Sequence, residues 1–114
     1  MHLFPRKAKA TPNSYYFGEF DDNPLAPFSI SLAHFKQSSY TTEAKHYHTH
    51  NQKVFITLSG EAVLEVNGEE VTLTPENMIQ VEPGEIHRVL RIVSQEVSFI
   101  VVLAKKENDK VIVN

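Results

Sequence analysis

The sequence contains no cysteine and no tryptophan, and its positive charges do not outnumber its negative ones. Without cysteine there are no disulfides, no thiolate metal sites and no thiol catalysis, so a bound metal would need histidine and carboxylate ligands. The 11 Lys and Arg residues are set against 14 Asp and Glu residues. No stretch concentrates the basic residues enough to follow a phosphate backbone. We therefore expect no nucleic acid partner.

Long hydrophobic runs are also missing. The longest wholly apolar run covers residues 99–104, which is far too short to cross a bilayer, and the opening MHLFPRKAKATP lacks the apolar stretch of a signal peptide. We expect no membrane association and a cytoplasmic location. The 114 residues suffice for one domain with a single core and are too few for two.

Helical periodicity is absent, whereas β-branched residues are abundant. Between residues 54 and 113 there are 12 Val, 6 Ile and 3 Thr among 60 residues, a composition typical of strands. Turn-forming pairs such as Asn67-Gly68 and Pro83-Gly84 divide the chain into segments of strand length. The pattern predicts an all-β fold.

The segment EAVLEV-NG-EEVTLT predicts a β-hairpin, because Asn-Gly is the preferred pair for a two-residue type I′ turn. Such a turn also fixes which residues face each other. The opposed pairs expected on the buried face are Leu64 with Val71 and Ala62 with Leu73, and those expected on the solvent face are Glu65 with Glu70 and Val63 with Thr72.

Seven further segments have strand composition: 28–36, 45–50, 53–59, 78–82, 86–93, 97–104 and 110–113. Together with the hairpin, they predict an antiparallel sandwich or barrel over residues 28–114. Residues 1–27 hold four of the six prolines and an aromatic cluster at 15–20. We expect this segment to be an arm that packs on the barrel or on a neighbouring subunit.

Three histidines, His46, His48 and His50, alternate along one predicted strand and so share a face. Residues two apart on a strand are separated by roughly 6.5 Å, from which two imidazoles can reach one ion at about 2.0 to 2.1 Å. A third ligand must come from another strand, and His87 begins such a strand after the Pro83-Gly84 turn. The alternative is that these histidines are hydrogen-bonded interior groups without an ion.

The segments HYHTHNQKVFITLSG and ENMIQVEPGEIHRVLR resemble the two cupin motifs, G-x5-H-x-H-x4-E-x6-G and G-x5-P-x-G-x2-H-x3-N, over residues 40–91. The matching residues are His46, His48, Gly60, Gly84 and His87. The departures are Tyr40 and Glu76 for glycines, Glu82 for proline, Arg91 for asparagine and Lys53 for the metal-binding glutamate. The second segment is also similar to the cupin module of mannose-6-phosphate isomerases and sugar-nucleotide enzymes.

The cupin resemblance implies an antiparallel jelly-roll barrel, the double-stranded β-helix, with one divalent metal ion bound by His46, His48 and His87. Iron, manganese, zinc and nickel all suit three imidazoles. Lys53 either turns to the rim and pairs with a Glu, or stays in the pocket with Arg91, which has the strand parity of His87. In the second case the two cations would suit an anionic ligand.

Four other residues are candidates for the site. His50 shares the parity of His46 and His48 but lies where cupins turn into a loop, so we expect it to face solvent rather than to bind the ion. His34 lies on the apolar face of the predicted strand 28–36, so we expect it to be a core or pocket-lining histidine. Thr57 and Gln80 are on strands expected to line the pocket and could orient a substrate.

These residues predict a cupin that acts on or binds a small anionic or oxygen-rich molecule. As an enzyme it would be an iron dioxygenase or a metal-assisted isomerase or lyase. The alternative is a non-catalytic small-molecule binding or sensor protein, metal-free because of Lys53. We also expect a homodimer, since segments 15–20 and 97–104 offer more apolar surface than one small barrel covers.

Overall fold

The computed structural model describes residues 1–9, 13–18, 27–105 and 108–114. Within these ranges every regular element is a strand, and no helix is long and apolar enough to span a membrane. The strands are β1 (Lys7–Ala8), β2 (Ser14–Phe17), β3 (Ser29–Lys36), β4 (His46–His48), β5 (Lys53–Ser59), β6 (Ala62–Val66), β7 (Glu69–Leu73), β8 (Met78–Val81), β9 (His87–Ile92), β10 (Glu96–Leu103) and β11 (Lys110–Ile112).

The strands form two antiparallel sheets. The six-stranded sheet has the order β1-β2-β3-β10-β5-β8, and the five-stranded sheet has the order β11-β4-β9-β6-β7. The chain passes repeatedly from one sheet to the other, so that each sheet contains strands from both halves of the sequence. The prediction of an all-β jelly roll is confirmed, and β3 to β11 lie within two or three residues of the predicted segments.

The core lies between the two sheets, because alternate residues of each strand face the opposite sheet. From the six-stranded sheet it takes Ala33, Phe55, Val81, Val97 and Phe99; from the five-stranded sheet it takes Ala62, Leu64, Leu73, Val89 and Ile92. The two phenylalanines form its centre, with ring centroids 5.6 Å apart.

The hairpin of β6 and β7 has the predicted register, with all four opposed pairs as expected. Asn67 and Gly68 both have positive φ, at 50° and 82°, as a type I′ turn requires. The expectation that Val63 meets solvent is wrong, since it is only 5% exposed. Arg91 of β9 lies opposite Val63. Its ion pair with Glu70 of β7 crosses β6, which lies between those two strands.

The N-terminal segment adds two strands to the edge of the six-stranded sheet. β2 pairs with β3, and β1 pairs with β2. The ring of Phe17 lies 4.7 Å from that of Phe4 and 5.2 Å from that of Phe28. Residues 10–12 and 19–26, which include part of the predicted aromatic cluster, lie outside the described residues.

Candidate metal centre

Three histidines meet at one end of the five-stranded sheet. His46 and His48 are the first and last residues of β4, so both point inward, and the pairing of β4 with β9 places His87 opposite His46. All three are buried. Their candidate ligand atoms lie within 4.8 Å of one another, although His46 and His87 are 41 positions apart in the sequence.

Hydrogen bonds fix the protonation of each ring. The Nδ1 atom of His46 bonds the carbonyl of Ala44 at 3.0 Å, and that of His87 bonds the carbonyl of Glu85 at 2.9 Å. The Nδ1 atom of His48 bonds a carboxylate oxygen of Asp109 at 2.9 Å. Because these oxygens only accept, each Nδ1 carries the proton and each Nε2 keeps its lone pair.

A metal ion at this position would be coordinated by the three Nε2 atoms. Those of His48 and His87 are buried without a hydrogen-bond partner among the described residues. A buried acceptor without a donor is costly, and it marks a place where a cation fits. Three neutral imidazoles with second-nitrogen partners form a normal donor set for a divalent transition metal.

The imidazoles are held neutral by their surroundings. Burial, reinforced by the positive charge of Lys53, lowers the pKa of His46 to about 3 and that of His87 to about 4. Burial also lowers the pKa of His48, although the hydrogen bond to Asp109 works against this. The His48–Asp109 contact is therefore a neutral N–H donating to a carboxylate, not an ion pair.

Lys53, the first residue of β5, points toward the histidines. Its Nζ lies 3.3 Å from Nε2 of His46 and 5.1 Å from the ring centroid of Phe55. Of the two orientations open at the sequence level, the structure has the inward one. The ammonium thus stands beside the imidazoles, where the cupin motif has a glutamate.

A buried carboxylate supports the same end of the barrel. The Asp109 side chain is 7% exposed and accepts hydrogen bonds from the segment 48–51. Burial by itself raises its pKa, but the hydrogen bonds from Asn51, the His50 backbone and His48 outweigh this effect and hold the pKa well below its ordinary value. Asp109 is therefore a fixed negative charge.

A cavity of about 340 Å³ opens beside the histidines. Its polar lining includes His48, Lys53, Lys110, Lys9 and Glu43, and its apolar lining includes Phe55, Val89, Phe99, Val101 and Leu103. Among the described residues of this lining, three lysines stand against one glutamate. Glu43 is held against the wall, since its Oε1 accepts a hydrogen bond from the backbone N–H of Val89 at 2.8 Å.

Arg91 does not join Lys53 in this cavity. The pairing of β6 with β9 shifts register between Val63 and Leu64, so that Leu64 faces Val89 while Val63 faces Arg91. This bulge reverses the alternation of β9: His87 and Val89 point inward, whereas Arg91 points outward to Glu70. The expectation that Arg91 points inward like His87, which assumed an uninterrupted alternation along the strand, is therefore wrong.

The remaining candidates lie apart from the three histidines. Thr57 is buried in the barrel interior, but it does not line the cavity. Gln80 is exposed on the outer face of β8, where it donates to Glu82. His34 lies on the outer face of β3, 2.7 Å from Ser98 and beside a separate surface cavity next to β1 and β2. His50 is exposed, as expected.

Sequence reasoning assigned no site role to three residues of this region: Glu43, Asp109 and Lys110. Nothing near 108–110 in the sequence resembles a motif, because these residues meet β4 only through the pairing of the last strand, with Lys110 opposite His48.

Comparison with known proteins agrees with this architecture. A family model described as a cupin domain matches residues 33–103, which is more than half of the chain. The chain belongs to the cupin family. No protein of curated function matches the sequence.

Solved structures share the fold at low sequence identity. An uncharacterized Klebsiella pneumoniae protein with a double-stranded β-helix domain has a TM-score of 0.73 at 19% identity, covering 97% of this chain and 91% of that one. Streptomyces PAC13 with uridine has a TM-score of 0.74 at 14% identity, covering 100% and 91%. Oxalate oxidase with the substrate analogue glycolate has a TM-score of 0.64 at 15% identity, covering 76% of this chain and 46% of that one.

Proposed function

We propose that this cupin binds one divalent transition-metal ion through Nε2 of His46, His48 and His87. The observation that carries the proposal is the fixed proton on all three Nδ1 atoms, which leaves three lone pairs at one buried point. A divalent ion held there supplies Lewis acidity to an oxygen of a bound molecule. Iron, manganese, zinc and nickel all accept this donor set.

We further propose that the molecule bound beside the ion is small and anionic or rich in oxygen. The cavity of about 340 Å³ is at the lower end of the range for small-molecule sites. Lys53 and Lys110 provide positive charge on its wall, and Lys53 stands next to the imidazoles. A carboxylate or phosphate can pair with these ammonium groups while one of its oxygens faces the metal position.

The ligand assignment is tested by elemental analysis of protein purified without chelators or added metal. We expect close to one divalent ion per chain, and loss of that ion in His46→Ala, His48→Ala and His87→Ala. The exposed His50→Ala is the matched control and should keep the ion. Retention in His48→Ala or His87→Ala together with loss in His50→Ala would overturn the assignment. Stoichiometric iron favours an oxygenase, and manganese or zinc favours an isomerase or lyase.

The ligand class is tested by calorimetric titration with glycolate and with inorganic phosphate. Lys53→Met should weaken anion binding about tenfold, which corresponds to ~1.4 kcal/mol. Lys45→Met is the matched control, because that ammonium lies 3.7 Å from Glu65, a residue outside the cavity lining. No binding of either anion to the wild-type chain would contradict the proposed class.

A second candidate function is a metal-free binding or sensor protein. The distance of 3.3 Å between Lys53 Nζ and His46 Nε2 favours it, since the ammonium donates to one of the lone pairs that a metal would use. In this case purified protein contains no stoichiometric ion and still binds the anion. The elemental analysis described above separates the two functions.

We also propose a homodimer built on the outer face of the six-stranded sheet. This face carries apolar residues on four adjacent strands: Ile30, Leu32, Val54, Ile56, Leu58, Met78, Ile100 and Val102. Leu58 and Met78 are 52% and 59% exposed. A contiguous apolar face can cover itself with a second copy through a two-fold axis. Three residues of the segment 97–104, Val97, Phe99 and Leu103, are buried instead.

A further inference from the structure

The carboxylate of Asp109 accepts hydrogen bonds from His48 and from the turn that follows β4. Oδ1 of Asp109 accepts from Nδ1 of His48 and from Nδ2 of Asn51, both at 2.9 Å. Oδ2 accepts from the backbone N–H groups of His50 and Asn51, at 2.6 and 2.9 Å, and from the hydroxyl of Thr49 at 3.5 Å. These contacts join residues at least 58 positions apart in the sequence.

We propose that Asp109 is the positioning residue of the three-histidine centre, because it fixes the tautomer and the ring orientation of His48. The inference rests on the metal-binding function proposed above. Asp109 itself reaches no metal position; it acts through the imidazole that it orients.

His48 differs from the other two histidines in what holds it. Nδ1 of His46 and Nδ1 of His87 each donate to a carbonyl two residues earlier, Ala44 and Glu85. Those contacts are local, and their acceptors are backbone carbonyls rather than side chains. The contact of His48 is with a side chain 61 residues away, so its tautomer depends on that carboxylate and on the docking of β11.

The negative charge has a second effect on the centre. A carboxylate that accepts the Nδ1 proton makes the other ring nitrogen a stronger donor to a metal than a neutral acceptor does. The site also contains the positive charge of Lys53, which opposes a cation. Asp109 places a fixed opposite charge one imidazole away and so partly offsets this repulsion.

The test uses Asp109→Asn, which keeps the size of the side chain but replaces one acceptor oxygen by a donor NH2. That NH2 cannot face the backbone N–H groups of His50 and Asn51, which always donate. It must therefore take the position of Oδ1, where it faces both His48 and the side-chain amide of Asn51. The hydrogen bond from Asn51 is lost, and Nδ1 of His48 then has to accept. His48 responds by moving its proton to Nε2, because an imidazole can exchange tautomers and a backbone amide cannot.

Two measurements detect the change of the His48 tautomer and its effect on metal binding. In metal-free protein, nitrogen NMR of the imidazole ring should show His48 protonated at Nδ1 in the wild type and at Nε2 in Asp109→Asn. In the same variant the affinity for zinc, measured by competition with a calibrated chelator, should fall about 10- to 100-fold. Thr49→Val is the control, since it removes a hydrogen bond to the same carboxylate without touching His48; it should change neither reading.

Each result decides a separate point. An Nδ1-protonated His48 in Asp109→Asn, or a switched tautomer with unchanged zinc affinity, overturns the inference. A switched tautomer in a chain whose wild type binds no zinc upholds the action of Asp109 on His48 and overturns the metal-binding function instead. If Asp109→Asn does not fold, the wild-type spectrum decides, because an Nε2-protonated His48 there contradicts the inference directly.

Discussion

Lys53 Nζ lies 3.3 Å from Nε2 of His46, so an ammonium stands next to a nitrogen that a metal ion would bind. After burial, the positive charge of this ammonium is the next largest cause of the low pKa of both His46 and His87. We therefore expect Lys53 to set the balance between the metal binding and the anion binding that we propose for this site.

The first prediction follows from that contact. Lys53→Glu removes a like charge from beside the ion and adds a carboxylate ligand, so the metal affinity should rise at least about tenfold, a change of ~1.4 kcal/mol. Chelator competition measures the dissociation constant. Lys53→Met removes the charge without adding a ligand, so its metal affinity should lie between those of the wild type and Lys53→Glu. An unchanged dissociation constant in Lys53→Glu would show that residue 53 does not contact the ion.

The second prediction concerns the pH dependence of stability in metal-free protein. The folded pKa values of about 3 for His46 and about 4 for His87 lie below the unfolded value of about 6.5. Below pH ~6.5 the unfolded chain therefore binds protons that the folded chain does not, and stability falls as the pH decreases toward ~4. Each such imidazole contributes a slope of about 1.4 kcal/mol per pH unit within this window.

Urea unfolding of chelator-treated protein at about pH 7.5 and about pH 5 measures this loss. His87→Gln should reduce the difference between the two conditions, because one titrating group is gone. His50→Gln changes an exposed histidine instead and should leave the difference as it is. Equal stability at both pH values in the wild type would contradict neutral, buried imidazoles.

The third prediction tests the apolar outer face. Wild-type protein should sediment at micromolar concentration as a dimer of the 13.0 kDa chain. Leu58→Asp and Met78→Asp each place a charge on that face and should shift the protein to the monomer. Ile112→Asp is the matched control, since Ile112 is 51% exposed but lies on β11 of the other sheet. A wild-type chain that sediments as a monomer excludes the homodimer.

The fourth prediction concerns a close approach between β10 and the turn before β6. Gly60 has a φ of +83°, and an added Cβ would lie 2.1 Å from the carbonyl oxygen of Glu96. Gly60→Ala should therefore destabilise the fold by more than about 2 kcal/mol, through the clash as well as the backbone strain. Gly68 has a φ of +82° with no atom within 4 Å. Gly68→Ala should lower the free energy of unfolding only by the backbone strain of about 1 kcal/mol. Equal losses for Gly60→Ala and Gly68→Ala in urea unfolding would show that the contact with Glu96 is unimportant.

Local sequence signals were enough for strands β3 to β11, the hairpin and the pairing of His46 with His48 on one face, but they did not indicate β1 and β2. Asn67-Gly68 dictates a turn in which both residues have positive φ, and that turn fixes the register of β6 and β7. The spacing of His46 and His48 puts both on one face of β4 because side chains alternate along a strand. The cupin motif supplied His87, the partner on another strand.

Tertiary structure decided the directions of Lys53, Arg91 and Asp109. A bulge in the β6–β9 pairing turns Arg91 outward. The residue types in β9 do not predict this bulge. Asp109 meets His48 only because β11 docks beside β4. Alternation along a strand is a short-range rule, so it holds until a bulge or a distant strand intervenes. The sequence by itself therefore determined which residues share a face of an uninterrupted strand, and the bulge and the packing of distant strands decided which charges surround the histidines.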